Sequence, residues 1–232
     1  FNQNKSKATY ELGINNFVFN YYDKLAKLKY FYRGLVNFSP FYSTFRGDID
    51  RINLSSFFNT NSFFVQLLKT EILNNQNLNI DISIDAKKFL HYQNFTEIFF
   101  NFKIKEGLLD IDDTKFKWKK YADFKISDSL IYLDKNQLIL NAKLSIDIKN
   151  DNEIYKVLQI SKNLRPKIKT LELNFNYNFD QQLVDFNDVK INSKINEDVT
   201  KILKKIVIKD NKLQNKIYFK NIIKDSIIAY VG

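Results

Sequence analysis

Cysteine and methionine are absent from the 232 residues, and there are only 5 glycines, 2 prolines and 1 histidine. Without cysteine there is no disulfide framework, no thiolate zinc site and no cysteine nucleophile. The single histidine, His91, has no serine-rich elbow or acid partner at a recognisable spacing, so it reads as a loop residue. Scattered glycines form neither a G-x-G-x-x-G nor a Walker-type loop, and so few Gly and Pro exclude collagen-like and linker-like sequence. Long hydrophobic runs are missing too. The densest, Phe63-Phe64-Val65 and Leu67-Leu68, fall far short of the roughly 20 residues that cross a bilayer. Residues 1–7 are polar, with no apolar stretch of a signal peptide behind them. The chain begins Phe1-Asn2-Gln3, so the expectation is a processed product or a piece of a longer protein, with any anchor upstream.

What the chain has is apolar surface and positive charge. Hydrophobic residues make up 44% and aromatics 16%, which excludes a disordered chain. The length suits one domain of about 200 residues or two small ones. Net charge is +10, carried by 32 Lys and only 4 Arg (Arg33, Arg46, Arg51, Arg165), beside 29 Asn. Lys, Asn, Ile, Phe and Tyr all have A/T-rich codons, so the lysines reflect codon bias as much as selection for a polyanion. Lysine also lacks the bidentate fork that makes arginine the preferred phosphate and base reader. No RNP-like aromatic motif, zinc finger or helix-turn-helix spacing is present, and nucleic acid is not an expected partner.

Period-two alternation dominates. Leu78, Ile80, Ile82 and Ile84 alternate with polar residues, as do Leu138 through Ile148 and Leu171, Leu173, Phe175, Tyr177 and Phe179. Each reads as a strand with one apolar and one polar face. Shorter examples are Tyr10-Leu12-Ile14, Tyr30-Tyr32, Phe102-Ile104, Leu109-Ile111 and Ile131-Leu133. Lys105-Glu106-Gly107, Asp134-Lys135-Asn136 and Asp180-Gln181-Gln182 read as hairpin turns. Helical spacing appears in 55–74, with Ser62 as a cap, and in 151–161 ahead of Pro166; 194–230 reads as two amphipathic helices, with its Ile-rich end fitting a helix or a strand. No Pro/Gly/Ser-rich linker appears. The expected fold is mainly β with a few helices: a long twisted antiparallel meander sheet over residues 1–192, then a Lys/Ile-rich helical segment, 193–232, packed on it.

Few residues carry chemistry. Asp110, Asp112 and Asp113 lie close together, but a glycosidase pair flanks one bond across a cleft, and a solvated strand face and turn is the stronger reading. Trp118 reads as a partly buried strand anchor. Lys201, Lys204 and Lys205 lie on one side of a helix and are candidates for contact with an anionic membrane surface, against a plain solvated face. No metal site and no cofactor is expected. The remaining feature is global: the apolar strand faces outnumber the helices available to cover them. Such a sheet either closes on itself as a core or curls into an open hydrophobic groove. Periodicity leaves both open.

Two segments resemble a known family. Residues 46–58, Arg46-Gly47-Asp48-Ile49-Asp50-Arg51-Ile52-Asn53-Leu54 entering Ser55-Ser56-Phe57-Phe58, resemble the G-x-I-x-x-I-x-L strand, entering a short helix, of AsmA-like proteins. Residues 68–111, from Leu68-Lys69-Thr70 through Leu78 to Ala86 and on to Glu106-Gly107-Leu108-Leu109-Asp110-Ile111, resemble the strand, linker and hairpin that follow there, and the likeness covers residues 30–190. The resemblance implies an envelope protein of Gram-negative bacteria, held on the periplasmic side of the inner membrane by an upstream helix. It also implies a part in outer-membrane biogenesis, by carrying phospholipid along a curved β-groove, with other envelope proteins as further partners. On that reading the chain is not an enzyme. The candidate groove lining, chosen by face alternation, is Ile80, Ile82, Ile84, Phe102, Ile104, Leu138, Leu140, Leu171, Leu173 and Phe175. The alternative is a β-sandwich surface lipoprotein or adhesin-type interaction domain with no lipid role, and a glycan hydrolase is the weakest of the three readings.

Overall fold

A computed structural model describes residues 5–25, 28–54, 58–204 and 216–231. The protein is mainly β, with thirteen strands and four α-helices among these residues. The chain forms two compact units, Phe1–Phe116 and Lys117–Gly232.

The first unit opens with an antiparallel meander of β1 (Lys5–Leu12), β2 (Asn16–Leu25), β3 (Leu28–Phe38) and β4 (Phe41–Ile52). The meander is then interrupted. The chain leaves β4, forms helix α1 (Phe63–Lys69), and returns as β5 (Asn79–Phe89) parallel to β4. A parallel neighbour needs a long crossover rather than a hairpin, and the segment between Ile52 and Asn79 supplies it. Ser62 caps α1 by accepting from the Val65 N–H at 3.2 Å. Glu71, in the left-handed region at φ 57°, follows the helix end, so α1 is shorter than the periodicity of 55–74 implies. Antiparallel strands β6 (Phe95–Lys105) and β7 (Leu108–Asp110) complete the order. Their turn places Glu106 and Gly107 at φ 54° and 82°, the left-handed pair that a tight hairpin requires. The short β8 (Lys115–Trp118) contains the point of division.

The second unit is a meander of β9 (Ala122–Asp134), β10 (Gln137–Ile148), β11 (Thr170–Asn178), β12 (Leu183–Ile191) and the two-residue β13 (Lys194–Ile195). Lys135 and Asn136, at φ 48° and 63°, make the first hairpin turn. On its polar face the abundant asparagine has a structural use. Asn141 donates to Asn176 at 2.7 Å and Asn178 donates to Gln137 at 2.7 Å, so side-chain amides run from strand to strand. Between β10 and β11 lies α2 (Asp151–Val157); the apolar face carries α3 (Glu197–Lys204) and α4 (Lys216–Val231), and α2 packs against α4. Val199, Leu203, Ala229 and Tyr230 of α3 and α4 pack on Ile168, Leu171, Leu173, Val189 and Ile191. Tyr155, Leu158 and Ile160 close a second cluster with Ile227.

Candidate functional site

The register of the first unit places one apolar face across six strands. Tyr10 of β1 lies opposite Phe19 of β2 and Leu12 opposite Phe17. Phe19 lies opposite Gly34 of β3, and Tyr21 opposite Tyr32. Gly34 and Tyr32 in turn face Phe45 and Gly47 of β4. Phe45 and Gly47 are level with Ile82 and Ile84 of β5, which lie opposite Phe102 and Phe100 of β6. Directly opposed residues share a face of the sheet, so all of these side chains project on one side.

Aromatic rings link along that face. Centroid separations are 6.4 Å for Tyr10–Phe17, 5.9 Å for Phe17–Phe19, 6.0 Å for Phe19–Phe45, 5.4 Å for Phe45–Tyr32 and 6.3 Å for Tyr32–Tyr21. Glycine makes this possible at two points. A Cβ on Gly34 would stand 2.0 Å from a carbon of the Phe19 ring, and one on Gly47 would stand 3.1 Å from the Tyr32 ring. Rings lie directly over both glycines, the arrangement in which a cross-strand aromatic shields a bare backbone. Gly47 is also the first residue of the family-like motif, so the structure gives that position a packing reason.

The two ends of the face differ. Over β5 and β6 it is closed: Phe64 of α1 meets Phe102 edge-on at 5.1 Å and Phe58 meets Phe100 at 5.9 Å. Ile84, Phe102 and Ile104 are buried there, while Ile80 and Ile82 are half-buried. Over β1–β4 the rings meet solvent. Tyr10 and Leu12 are 75% and 72% exposed, and Phe17, Phe19, Tyr21, Tyr32 and Phe45 are half-buried. Partial burial pushes the Tyr32 phenol up from its ordinary value, helped by neighbouring Tyr30, Tyr21 and Asp23.

Of the ten residues picked by alternation, five lie on this one face: Ile80, Ile82, Ile84, Phe102 and Ile104. The other five lie on the apolar face of the second unit. Leu138 and Leu140 are buried there, Leu171 and Leu173 pack against the cluster under α3 and α4, and Phe175 is half-buried beside Phe186 at 6.4 Å. The ring ladder itself, from Tyr10 to Tyr21, was outside that set. Its signal was present as Phe17, Phe19 and Tyr21 at period two, with Gly34 as a notch for a ring.

The charged residues sort separately. Lys201 and Lys204 are exposed on α3, Lys201 reaching Asp198 at 3.2 Å, and Lys205 lies outside the described residues. Asp110 accepts from the Asp112 N–H at 3.0 Å, and Asn101 donates to the Asp112 carbonyl at 2.8 Å. The acidic trio thus builds a turn fastened to β6; burial raises the Asp110 carboxyl above its ordinary range. His91 borders an apolar cavity of about 350 Å³, which Ile52, Phe89, Phe95 and Phe116 also line. Among the described residues no group of three or more His, Asp or Glu is placed to hold a metal ion, and no helix is long and apolar enough to cross a membrane.

No protein-family model matches the chain, and neither a curated protein nor a solved structure matches it. The AsmA-like resemblance stands on its motif residues alone.

Proposed function

We propose that the chain is a non-enzymatic cell-envelope domain that holds the acyl chains of phospholipid against the apolar face of its β-sheet. On this reading it works on the periplasmic side of the bacterial inner membrane, as the AsmA-like resemblance implies, and contributes to outer-membrane biogenesis. The supporting observation is the ring ladder, which presents contiguous apolar surface to solvent on β1–β4. Apolar patches of this kind on a soluble surface mark a ligand, partner or membrane site. Its size suits an acyl chain. Neighbouring strands are about 4.8 Å apart, so β1 to β4 spans roughly 14 Å. One leaflet of a bilayer core, half of about 30 Å, is roughly 15 Å. Each methylene taken out of water contributes about 0.8 kcal/mol, and the ring faces of Phe17, Phe19 and Phe45 offer that burial with no polar atom.

The test is titration with a fluorescent fatty-acid probe, with phospholipid vesicles as competitor. The expected result is saturable binding that phospholipid displaces. Replacing Tyr10 and Phe17 together by Asp places two charges on the ladder at positions outside the core. It should weaken binding at least tenfold and leave the far-ultraviolet circular dichroism unchanged. Wild-type affinity in that variant overturns the proposal and leaves the interaction-domain alternative as the better reading.

A further inference from the structure

We propose that the free edge of β1 is a self-pairing edge: a second copy of this chain docks antiparallel along it, centred on Thr9. Among the described residues β1 has a neighbour on one side only, β2, so its outer edge carries backbone N–H and C=O groups with no ladder partner among them. Proteins ordinarily blunt such an edge with charges that repel an incoming strand. Here the charges do the opposite.

Lys7, Thr9 and Glu11 project on one face of β1 and are exposed. Across the β1–β2 ladder they face Tyr22, Asn20 and Val18, all uncharged. Among the described residues neither Lys7 nor Glu11 has an ion-pair partner. The pattern is symmetric about Thr9 with opposite signs at its two ends. When two copies pair antiparallel with Thr9 opposite Thr9, each Lys7 stands directly opposite the other copy's Glu11. One two-fold operation thus forms two Lys7–Glu11 pairs and leaves neither charge unmatched, which is how an isologous interface works.

The other face agrees with the same register. Ala8, Tyr10 and Leu12 point to the ring-bearing side of the sheet. With Thr9 opposite Thr9, each Tyr10 falls opposite the other copy's Ala8, so the largest side chain meets the smallest and the ring has room. Two residues of slip either way keep the faces aligned but lose the pairing of Lys7 with Glu11. Moving the centre to Tyr10 puts Glu11 opposite Thr9 and leaves no Lys–Glu pair within β1; moving it to Ala8 puts Lys7 opposite Thr9 and Glu11 opposite Lys5, and takes Tyr10 away from Ala8. The variants at Lys7 separate the Thr9 register from that slip, because Lys7 faces an uncharged residue in it. Because the two-fold axis stands perpendicular to the sheet, the ring ladders of both copies end on the same side and abut through Tyr10. The inference does not rest on the lipid reading: it uses charge and register alone.

Sedimentation velocity on the full 232-residue chain, up to the hundred-micromolar range, is the test. The wild type should show a reversible dimer that weakens as salt rises. K7E and E11K each place like charges opposite one another and should weaken association roughly tenfold or more. In an equimolar mixture of K7E with E11K, both pairs of facing positions again carry opposite charges. The mixture should therefore restore the dimer, as should the double variant K7E/E11K. Exposed positions should leave the melting curve of each variant unchanged. A monomeric wild type, single variants that associate like the wild type, or a mixture that stays monomeric would each overturn the proposal.

Discussion

Replacing Gly34 by alanine tests whether the ring ladder is a built feature of the sheet. The new Cβ would stand 2.0 Å from one carbon of the Phe19 ring, 2.3 Å from a second and 2.8 Å from a third. Carbon atoms pack at about 3.5–4.0 Å, so the ring must retreat by roughly 1.5 Å or more. It is held between Phe17 at 5.9 Å and Phe45 at 6.0 Å, and each aromatic contact contributes about 0.5–1.5 kcal/mol beyond burial. Overpacking alone costs about 1–3 kcal/mol. Against this, alanine stiffens the unfolded chain and stabilises by about 0.4–1 kcal/mol. The steric loss wins, because the ring is flanked by Phe17 and Phe45, but Phe19 is only half-buried and swings partly aside, so the loss stays in the lower part of that range. The net expectation is a destabilisation of about 1–2 kcal/mol.

Urea unfolding followed by circular dichroism reads it out. With a slope near 2 kcal/mol per molar, the midpoint should fall by roughly 0.5–1 M and the slope should stay constant. A second substitution, Phe19→Ala, removes the clashing ring, so G34A should cost far less in that background than in the wild type. The acyl probe should also bind G34A more weakly, since the displaced ring interrupts the ladder. An unchanged or raised midpoint in G34A would refute the close approach of ring to backbone on which the face depends.

Two further predictions concern the second unit. Buried Tyr155, whose hydroxyl donates to the Pro166 carbonyl, has its phenol pushed up to about 12 by burial, then by Asp151 and Tyr230. Its proton is therefore held more tightly in the folded state: the stabilisation is complete below pH 10 and is lost as pH rises through 12, a change of at most about 2–3 kcal/mol and less as water screens the hydroxyl end. Urea midpoints measured between about pH 9 and about pH 12 should fall less steeply for Tyr155→Phe than for the wild type, and parallel curves would refute the assignment. Lys201, Lys204 and Lys205 should draw the protein to anionic liposomes at low salt, each contributing about 1 kcal/mol near the surface. Their change to Gln should reduce flotation with stability altered by under about 0.5 kcal/mol, and equal flotation with neutral liposomes would sink the electrostatic account.

The strands that could be read from the sequence are those with one wet face. Leu138 to Ile148 alternates cleanly and forms β10, and Leu171 to Tyr177 does so in β11. β2 was harder, because Phe17, Phe19 and Tyr21 are interleaved with Val18 and Tyr22, and period two blurs when both faces carry apolar residues. β6 has the same difficulty at Phe99-Phe100. Pairing was less legible still. Nothing in the alternation of Ile80, Ile82 and Ile84 tells that β5 runs parallel to β4, since periodicity describes a strand and not its neighbour. The length of the intervening segment was the available clue: 26 residues between Ile52 and Asn79 are too many for a hairpin, and a crossover of a dozen or more permits a parallel neighbour.

Alternation likewise reports which face a residue is on, never what covers it. Leu173 and Phe175 are two residues apart on one strand and face, yet Leu173 packs on the cluster under α3 and α4 while Phe175 is paired with Phe186. The cover can nonetheless be counted. An α-helix is about 10 Å across and neighbouring strands are about 4.8 Å apart, so one helix masks about two strands. The first unit has seven strands in order from β1 to β7 and, among the described residues, the single helix α1. Seven residues at 1.5 Å each make α1 only about 10 Å long. It therefore masks β5 and β6, where Phe64 meets Phe102 and Phe58, just ahead of the helix, meets Phe100, and cannot reach β1–β4. A sheet left so short of cover would normally turn polar beyond its helix. Instead β1–β4 carry six linked rings, two of them laid over glycines that make room for them. The excess of apolar strand face over helix was visible in the sequence; its location, on the meander that precedes α1, required the register.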